Sequence, residues 1–303
     1  MSVRKLTAAP VGVIVAMVLL LGAAQAEAWS KAPAPRYYLA LGDSLSQGVQ
    51  PNVNGLSLET NQGYADQLYA NLRGRIKNLK LVKMGCPGDT TTSMLTGKGN
   101  AIAAKFFKCN RSGGSQVKAA QNFLKAHHKN GEVVLVTLDI GANDVDGCTA
   151  PGVNVAKCVT TGQNNIKTLT PKILKAIRTS AAKGTKLAAM TLYDPVLGGY
   201  FSASPTARAL ASASVGLLKG INNTIASANK AAGFLTADVA GAFASYSTAT
   251  VPALGTNIPL NVARVCAWTW ACTTPPSGPN IHANKNGYAV IASAFQKVIG
   301  RIN

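Results

Sequence analysis

The strongest constraint on the fold is an apolar run in the middle of the chain, Val133–Leu138, in which Thr137 is the one polar residue. A run without polar alternation is typical of a strand buried on both faces, as in parallel sheets. Strands are also predicted at Tyr37–Leu41, Leu79–Val82, Leu187–Leu192 and Phe234–Val239. Helical spacing of apolar residues predicts helices at Tyr64–Leu72, Val117–His127, Ile166–Ala182, Ala207–Ala231 and Asn286–Val298, with Pro171 marking a start or a kink. This alternation predicts a parallel sheet covered by helices on both faces.

The N-terminal segment has the features of an export signal. Arg4 and Lys5 precede a short apolar run, Val11–Leu21, and Ala24-Gln25-Ala26 is a small-x-small cleavage site. A membrane anchor is the alternative, but the run is short for a span, which needs about 20 residues. We therefore expect a signal peptide over residues 1–26 and one domain over residues 30–303, because no Pro/Gly/Ser-rich linker divides the 303-residue chain. The mature protein is expected to be secreted, soluble and monomeric.

The cysteines are consistent with export. Six of them form three sequence-local pairs, which are Cys86/Cys109, Cys148/Cys158 and Cys266/Cys272. An even number of cysteines in an exported chain is typical of structural disulfides, and we expect neighbours to pair although the sequence does not fix the connectivity. A zinc site is the disfavoured alternative, because there is no C-x-x-C and only three histidines are present. No metal is predicted.

The chain is strongly basic, with 30 Lys and Arg against 11 Asp and Glu. A positive field of this kind favours anionic surfaces such as envelope polymers, acidic lipids or nucleic acid. The lysines are scattered singly and few aromatic residues lie among them, whereas a nucleic-acid platform needs stacking aromatics. We expect a solvated lysine surface, with at most weak adsorption to an anionic cell surface and no specific nucleic-acid site.

Three polar or glycine positions follow predicted strands and should meet at one edge of the sheet. Ser44 comes just after the first strand, in Gly42-Asp43-Ser44-Leu45, and Gly88 and Asn143 follow two later strands. Open α/β sheets bind ligands beyond the carboxyl ends of their strands. A serine there is a candidate nucleophile, although it could equally be a helix cap. A glycine N–H and an asparagine amide can both donate to a developing oxyanion.

The candidate general base is His282, in a Pro/Gly/Asn loop before the last predicted helix. His127 and His128 lie together at the polar end of a helix and are expected to be solvated. A lone loop histidine is usually a surface residue. With a serine nucleophile already suspected, however, His282 is the only credible base.

Together these motifs resemble the blocks of the SGNH, or GDSL, hydrolases, and most closely those of secreted actinobacterial lipases and esterases. The matching blocks are Gly42-Asp43-Ser44-Leu45, Gly88, Gly141-x-Asn143-Asp144, and His282 before Asn284 and Gly287-Tyr288. The resemblance implies a three-layer α/β/α sandwich with a central five-stranded parallel sheet, and no cofactor. It implies Ser44 as nucleophile, His282 as base, and an oxyanion hole of the Ser44 and Gly88 N–H groups and the Asn143 side chain.

One block departs from the family pattern. The family usually has aspartate three residues before the histidine, to orient its imidazole, and that position is Pro279 here. We expect the Pro279 backbone carbonyl to accept the histidine N–H, giving a Ser-His dyad, with the Asn280 side-chain oxygen as second choice. Asp194 or Asp238 would be a poorer third.

The predicted function is a secreted lipase or esterase that cleaves carboxylic esters of a small-molecule or lipid substrate through an acyl-enzyme. Tyr193–Phe201 is a candidate acyl-binding wall, or equally loop packing. The alternatives are a cell-envelope carbohydrate esterase or deacetylase, and a non-catalytic cationic surface-binding protein on the same scaffold. Only the missing aspartate favours the last.

Overall fold

In the computed structural model of the protein, residues 34–100, 105–107, 109, 111–150 and 152–302 are described. The predicted signal peptide, residues 1–26, lies outside them. Contacts group Pro35–Asn303 into one compact unit, and of the preceding Met1–Ala34 only Ala34 is described. None of the helices in the described part of the chain combines the length and apolar character that crossing a bilayer requires.

The core is a five-stranded sheet of β1 (Arg36–Gly42), β4 (Leu79–Lys83), β5 (Val133–Asp139), β6 (Lys186–Met190) and β7 (Leu235–Ala237). Its order is β4-β1-β5-β6-β7, and every neighbouring pair is parallel. Two short hairpins lie outside it, β2 (Gln50–Pro51) with β3 (Ser57–Leu58) and β8 (Thr250–Ala253) with β9 (Thr256–Pro259). The predicted five-stranded parallel sheet is confirmed.

The helices are α1 (Tyr64–Arg73), α2 (Thr91–Thr96), α3 (Gln116–Ala126), α4 (Val155–Ser180), α5 (Pro205–Ala231), α6 (Val239–Ala242), α7 (Leu260–Trp268) and α8 (Lys285–Ile299). Short 3₁₀ segments lie at Ala142–Asp144, Asp146–Thr149 and Pro195–Phe201.

Two apolar clusters cover the two faces of the sheet. In β1, Tyr38 and Ala40 pack in a cluster with α1, α7 and α8, whereas Leu39 and Leu41 pack in a second cluster with α3 and the C-terminal half of α4. Successive side chains of a strand point to opposite faces, so β1 is buried on both. The three-layer sandwich expected from the sequence is therefore present.

Helix α4 is longer than the sequence expectation, which began it at Ile166, and Pro171 does not mark its start. The helix instead begins at Val155, where Asn154 caps it by accepting the Lys157 N–H, and continues through Pro171. The periodicity was hidden because Gly162 and Thr170, rather than large apolar residues, occupy buried positions of the helix.

The three disulfides are formed between sequence neighbours, as expected. They join Cys86 to Cys109, Cys148 to Cys158, and Cys266 to Cys272, and the described residues contain no free cysteine. Cys86 follows β4 and Cys148 follows β5, whereas the third bridge spans Thr269, which pairs with Ala283 next to His282.

Candidate active site

The direction in which successive strands are added to the sheet reverses between β1 and β5, because β4 lies on one side of β1 and the later strands lie on the other. Ligand sites of open α/β sheets lie at such a switch point, beyond the strand ends. Ser44 follows β1 and Asn143 follows β5, so these two candidate residues flank it. The strand order alone therefore explains why sequence-distant residues meet here.

The turn that carries Ser44 depends on Gly42. Gly42 has a φ of +132°, and a Cβ atom there would lie 2.0 Å from the Asp139 carbonyl oxygen. Gln116 Oε1 accepts from the Gly42 N–H, and Gln116 Nε2 donates to the Gly42 carbonyl, each at 2.8 Å. The turn leaves Ser44 with only 7 % of its surface exposed.

Ser44 and His282 are in direct contact. Ser44 Oγ and His282 Nε2 lie 2.9 Å apart, which is hydrogen-bonding distance between a nucleophile and a base. On the other side of the ring, His282 Nδ1 lies 2.6 Å from Asn280 Oδ1. This geometry corresponds to the Nδ1–H tautomer, because Asn280 Oδ1 can only accept. Nε2 is then free to take the serine proton.

The expected Pro279 carbonyl is not the partner of His282. The Asn280 side chain, the second choice, takes that place because the same Oδ1 also accepts the His282 backbone N–H at 3.0 Å. This local turn, typical of asparagine, brings the amide oxygen under the imidazole. The Asn280 Nδ2 donates to Ser57 Oγ at 3.2 Å, which fixes the orientation of the amide.

The two more distant acids are bonded elsewhere. Asp194 accepts from Ser214 Oγ at 2.7 Å and from the Val196 N–H at 3.1 Å. Asp238 caps the short helix α6 through the Gly241 N–H. Neither carboxylate is among the hydrogen-bond partners of His282 in the described structure.

The backbone donors expected for an oxyanion are present and unengaged. Across the described residues, neither the Ser44 N–H nor the Gly88 N–H has a hydrogen-bond partner. Gly88 has a φ of +77°, a conformation that favours glycine. The loop is held by Asn100, which donates to the Pro87 carbonyl at 3.0 Å.

Asn143 is already engaged on both of its amide hydrogens. Its Nδ2 donates to the Asp89 carbonyl at 3.1 Å and to Asp43 Oδ2 at 3.3 Å. An amide nitrogen has two donors, so an oxyanion must displace one of these bonds. The bond to Asp43 is the longer of the two.

Buried carboxyl groups join the three strand-end loops to one another. Asp43 donates its N–H to Asp139 Oδ2 at 3.0 Å, and Tyr64 donates its hydroxyl to Asp139 Oδ1. Asp144 accepts from the Thr91 N–H at 2.8 Å and from the Thr91 hydroxyl at 2.7 Å, which ties the Asn143 segment to α2.

The carboxyl of Asp89 adds a further cross-link in the same region. It is fully buried and accepts from Arg111 at 2.6 Å, from Ser93 at 2.8 Å and from Gln116 at 2.9 Å. Because Gln116 also holds Gly42, this carboxyl links the β4 loop to the Ser44 turn. Sequence reasoning did not find these supporting residues, since each has an ordinary alternative role in a turn or cap.

Burial sets the charge of the ionisable groups around the site. Burial lowers the pKa of His282 to about 4, so the imidazole is neutral over the mildly acidic and neutral range. Burial raises the pKa of Asp43 to about 6. Burial, followed by the negative charge of Asp43, raises the pKa of Asp139 well above its usual value. No group of three or more His, Cys, Asp or Glu in the described residues is arranged to hold a metal ion.

The profile of the GDSL-like lipase/acylhydrolase family matches residues 40–290 of the chain. Because this match covers most of the sequence, the chain belongs to that family. It is a carboxylic ester hydrolase of the GDSL type. The resemblance seen in the sequence motifs is thereby confirmed.

Solved structures share the fold at low sequence identity. The extracellular lipase of Streptomyces rimosus is 20 % identical with a TM-score of 0.53, over 87 % of this chain and 99 % of that one. Phospholipase A1 of Streptomyces albidoflavus is 17 % identical with a TM-score of 0.50, over 88 % and 100 %. A variant of an acetyl xylan esterase of Geobacillus stearothermophilus is 17 % identical with a TM-score of 0.50, over 88 % and 94 %. Curated protein sequences gave no match.

Proposed function

We propose that the protein is a secreted lipase or esterase in which Ser44 and His282 form a catalytic dyad and Asn280 orients the histidine. The observation that carries the proposal is the chain of two short contacts, Ser44 Oγ to His282 Nε2 at 2.9 Å and His282 Nδ1 to Asn280 Oδ1 at 2.6 Å. This arrangement supplies a nucleophile, a base and a group that fixes the base, as nucleophilic catalysis requires.

In the proposed reaction, His282 Nε2 takes the Ser44 hydroxyl proton as Oγ attacks the ester carbonyl carbon. The negative charge on the carbonyl oxygen is stabilised by the Ser44 and Gly88 N–H groups and by Asn143. The imidazolium then gives its proton to the departing alcohol, which leaves an acyl group on Ser44. Water then attacks the acyl carbon as His282 Nε2 takes one of its protons. The bond from that carbon to Ser44 Oγ breaks, the imidazolium returns the proton to Oγ, and the carboxylic acid is released.

Secretion, the single domain over residues 30–303 and the monomeric state are part of the same proposal. The signal-like segment over residues 1–26 and the three disulfides support export. The chain has 30 Lys and Arg residues and only 11 Asp and Glu residues, and this positive charge supports weak adsorption to an anionic cell surface.

The direct test is covalent labelling by a fluorophosphonate probe, combined with hydrolysis of p-nitrophenyl acetate. We expect one adduct per chain, on the peptide that contains Ser44, and loss of hydrolysis in parallel with labelling. Active protein that is labelled on another serine, or not labelled at all, would contradict the Ser44 assignment.

The pH profile should reflect the lowered pKa of His282. A general base works in its neutral form, so a pKa of about 4 keeps it competent down to about pH 4 instead of pH 6.5. We expect kcat/KM to stay high from pH 7 down to about pH 5 and to fall by half near pH 4. The measurement is a pH-stat assay of a soluble ester, with circular dichroism at each pH as control. A midpoint at or above 6.5 would contradict it.

Replacing Asn143 by alanine should lower kcat by roughly 10²–10³, the usual cost of losing one oxyanion donor. KM should change much less, because the bond to the substrate forms mainly in the transition state. Steady-state kinetics with p-nitrophenyl acetate measure both constants. A loss confined to KM would show that Asn143 binds the ground state instead.

A further inference from the structure

An apolar groove lies between the start of α4 and the middle of α5. Its volume is about 390 Å³, within the roughly 300–1,000 Å³ usual for small-molecule sites. The α4 side is lined by Val155, Ala156 and Val159, and the α5 side by Leu210, Ala213, Leu217, Leu218 and Ile221. A groove with such walls favours an apolar ligand, because binding removes apolar surface from water.

This groove adjoins the candidate active site. The small pocket that contains Ser44 and His282 shares with it Ala142, Asp146, Leu192, Tyr193 and Pro195. The groove and the Ser44 pocket therefore lie next to each other along these shared residues.

Polar side chains also line the groove, among them Asp146, Asp194 and Ser214. Asp194 and Ser214 bond to each other at 2.7 Å. The side chain of Asp146, at the entrance, has no hydrogen-bond partner within the described residues. Burial and the charges of Asp43 and Asp194 raise the pKa of Asp146 to about 8, so this carboxyl is mostly protonated at neutral pH. It then presents no full charge to an apolar chain.

A second branch, a cleft of about 870 Å³, leaves the site on the histidine side. Its lining is mixed: Ser202, Thr273 and Thr274 lie beside apolar residues such as Phe201 and Leu254, and the loop residues Asn280 and Ile281 belong to it. Because the imidazolium must protonate the departing alcohol, the alcohol part of an ester has to lie on the side of His282. The acyl part then points the other way, past Ala142.

We propose that the groove between α4 and α5 is an acyl-binding subsite that takes a linear fatty acyl chain, while the cleft beside the His282 loop takes the alcohol part. This inference rests on the proposed function, because the orientation follows from His282 acting as the acid for the leaving group. According to this inference, the enzyme prefers esters with medium or long acyl chains to acetyl esters. Wild-type protein should therefore give a higher kcat/KM on p-nitrophenyl octanoate than on p-nitrophenyl acetate.

The test narrows the groove by placing a large side chain at exposed alanines that line it. Ala213 and Ala156 are exposed and line the groove from opposite sides, so Ala213→Phe and Ala156→Phe should fold and should reduce its volume. Each should lower the octanoate-to-acetate ratio of kcat/KM by about tenfold or more, since one methylene in a pocket can change specificity by 10–200-fold. The control is Ala209→Phe, an equally exposed α5 position outside the groove and the cleft, which should leave the ratio at the wild-type value.

A second substrate pair identifies the side of the ester that occupies the groove. Ethyl acetate and octyl acetate differ only in the alcohol, and the Ala213→Phe variant should not change their kcat/KM ratio. If that ratio falls and the octanoate ratio does not, the groove takes the alcohol and the inference is wrong. Equal loss on all four esters would overturn it as well, because the substitution would then act on the catalytic residues. Wild-type protein that hydrolyses none of the four would instead overturn the proposed function, and the inference with it.

Discussion

Replacing Ser44 by alanine is expected to lower kcat for p-nitrophenyl acetate on the order of 10⁶-fold, the cost of losing the nucleophile in a well-studied serine protease. The reason is geometric. Ser44 Oγ is the atom that is hydrogen-bonded to His282 Nε2. The substitution removes this atom, whereas the backbone N–H groups of residue 44 and Gly88 remain. The folded state should be unaffected, since the substitution removes one oxygen.

Steady-state kinetics on the purified variant measure this loss of kcat. A thermal unfolding curve, monitored by circular dichroism, checks the fold. Ser212→Ala, at an exposed serine of α5, is the matched control and should retain wild-type kcat. A folded Ser44→Ala variant that keeps more than a few per cent of the activity would show that another group is the nucleophile.

The second large effect is expected at Asn280. Asn280→Ala removes the acceptor that holds the Nδ1–H of His282, so the ring is free to rotate and to change tautomer. We expect kcat to fall by about 10²-fold or more, within the roughly 10²–10⁴ that general acid–base catalysis contributes. Asn280→Asp keeps an acceptor oxygen in the same place and should retain at least about a tenth of the activity.

The two Asn280 variants are separated by their pH profiles. In Asn280→Asp the nearby negative charge favours the imidazolium, so the pKa of His282 should rise and the acid limb of kcat/KM should move above its wild-type position near pH 4. A merely structural asparagine would not move this limb.

Asp194→Asn and Asp238→Asn serve as controls and should stay within about tenfold of wild type, whereas removing a true triad carboxylate can cost about 10⁴. A loss on that scale in either folded variant would contradict the role given to Asn280.

The sheet could be predicted from the sequence because its central strands are buried on both faces. No helical spacing of apolar residues competes with the strand pattern at Tyr37–Leu41 or Val133–Leu138. The observed β1 is one residue longer than predicted at each end, and β5 is one residue longer at its C-terminal end. Helix α7 and the β8–β9 hairpin were not predicted. Their buried positions include Asn261, and their short segments do not present a sustained apolar pattern.

Much of the candidate site could also be predicted, because parallel strands end at a common edge. Ser44, Gly88 and Asn143 were found from strand ends alone. The partner of His282 could not be, since a sequence does not show whether the Pro279 carbonyl or the Asn280 side chain faces the ring. The position of Asp146, which lines both the groove and the cleft, could not be predicted either, because it depends on how α4 and α5 approach each other.

The nucleophile and the base reach the site on two separately anchored parts of the molecule. Ser44 belongs to loops cross-linked by buried carboxyl groups, whereas the His282 loop is held by Trp270 backbone bonds, by Ser57 and by the Tyr193 hydroxyl. In evolutionary terms, the orienting group can then be exchanged without redesign of the oxyanion donors. An aspartate can be lost and an asparagine recruited by changes confined to one loop, and drift at that loop would tune the working pH of the enzyme while its nucleophile stays the same.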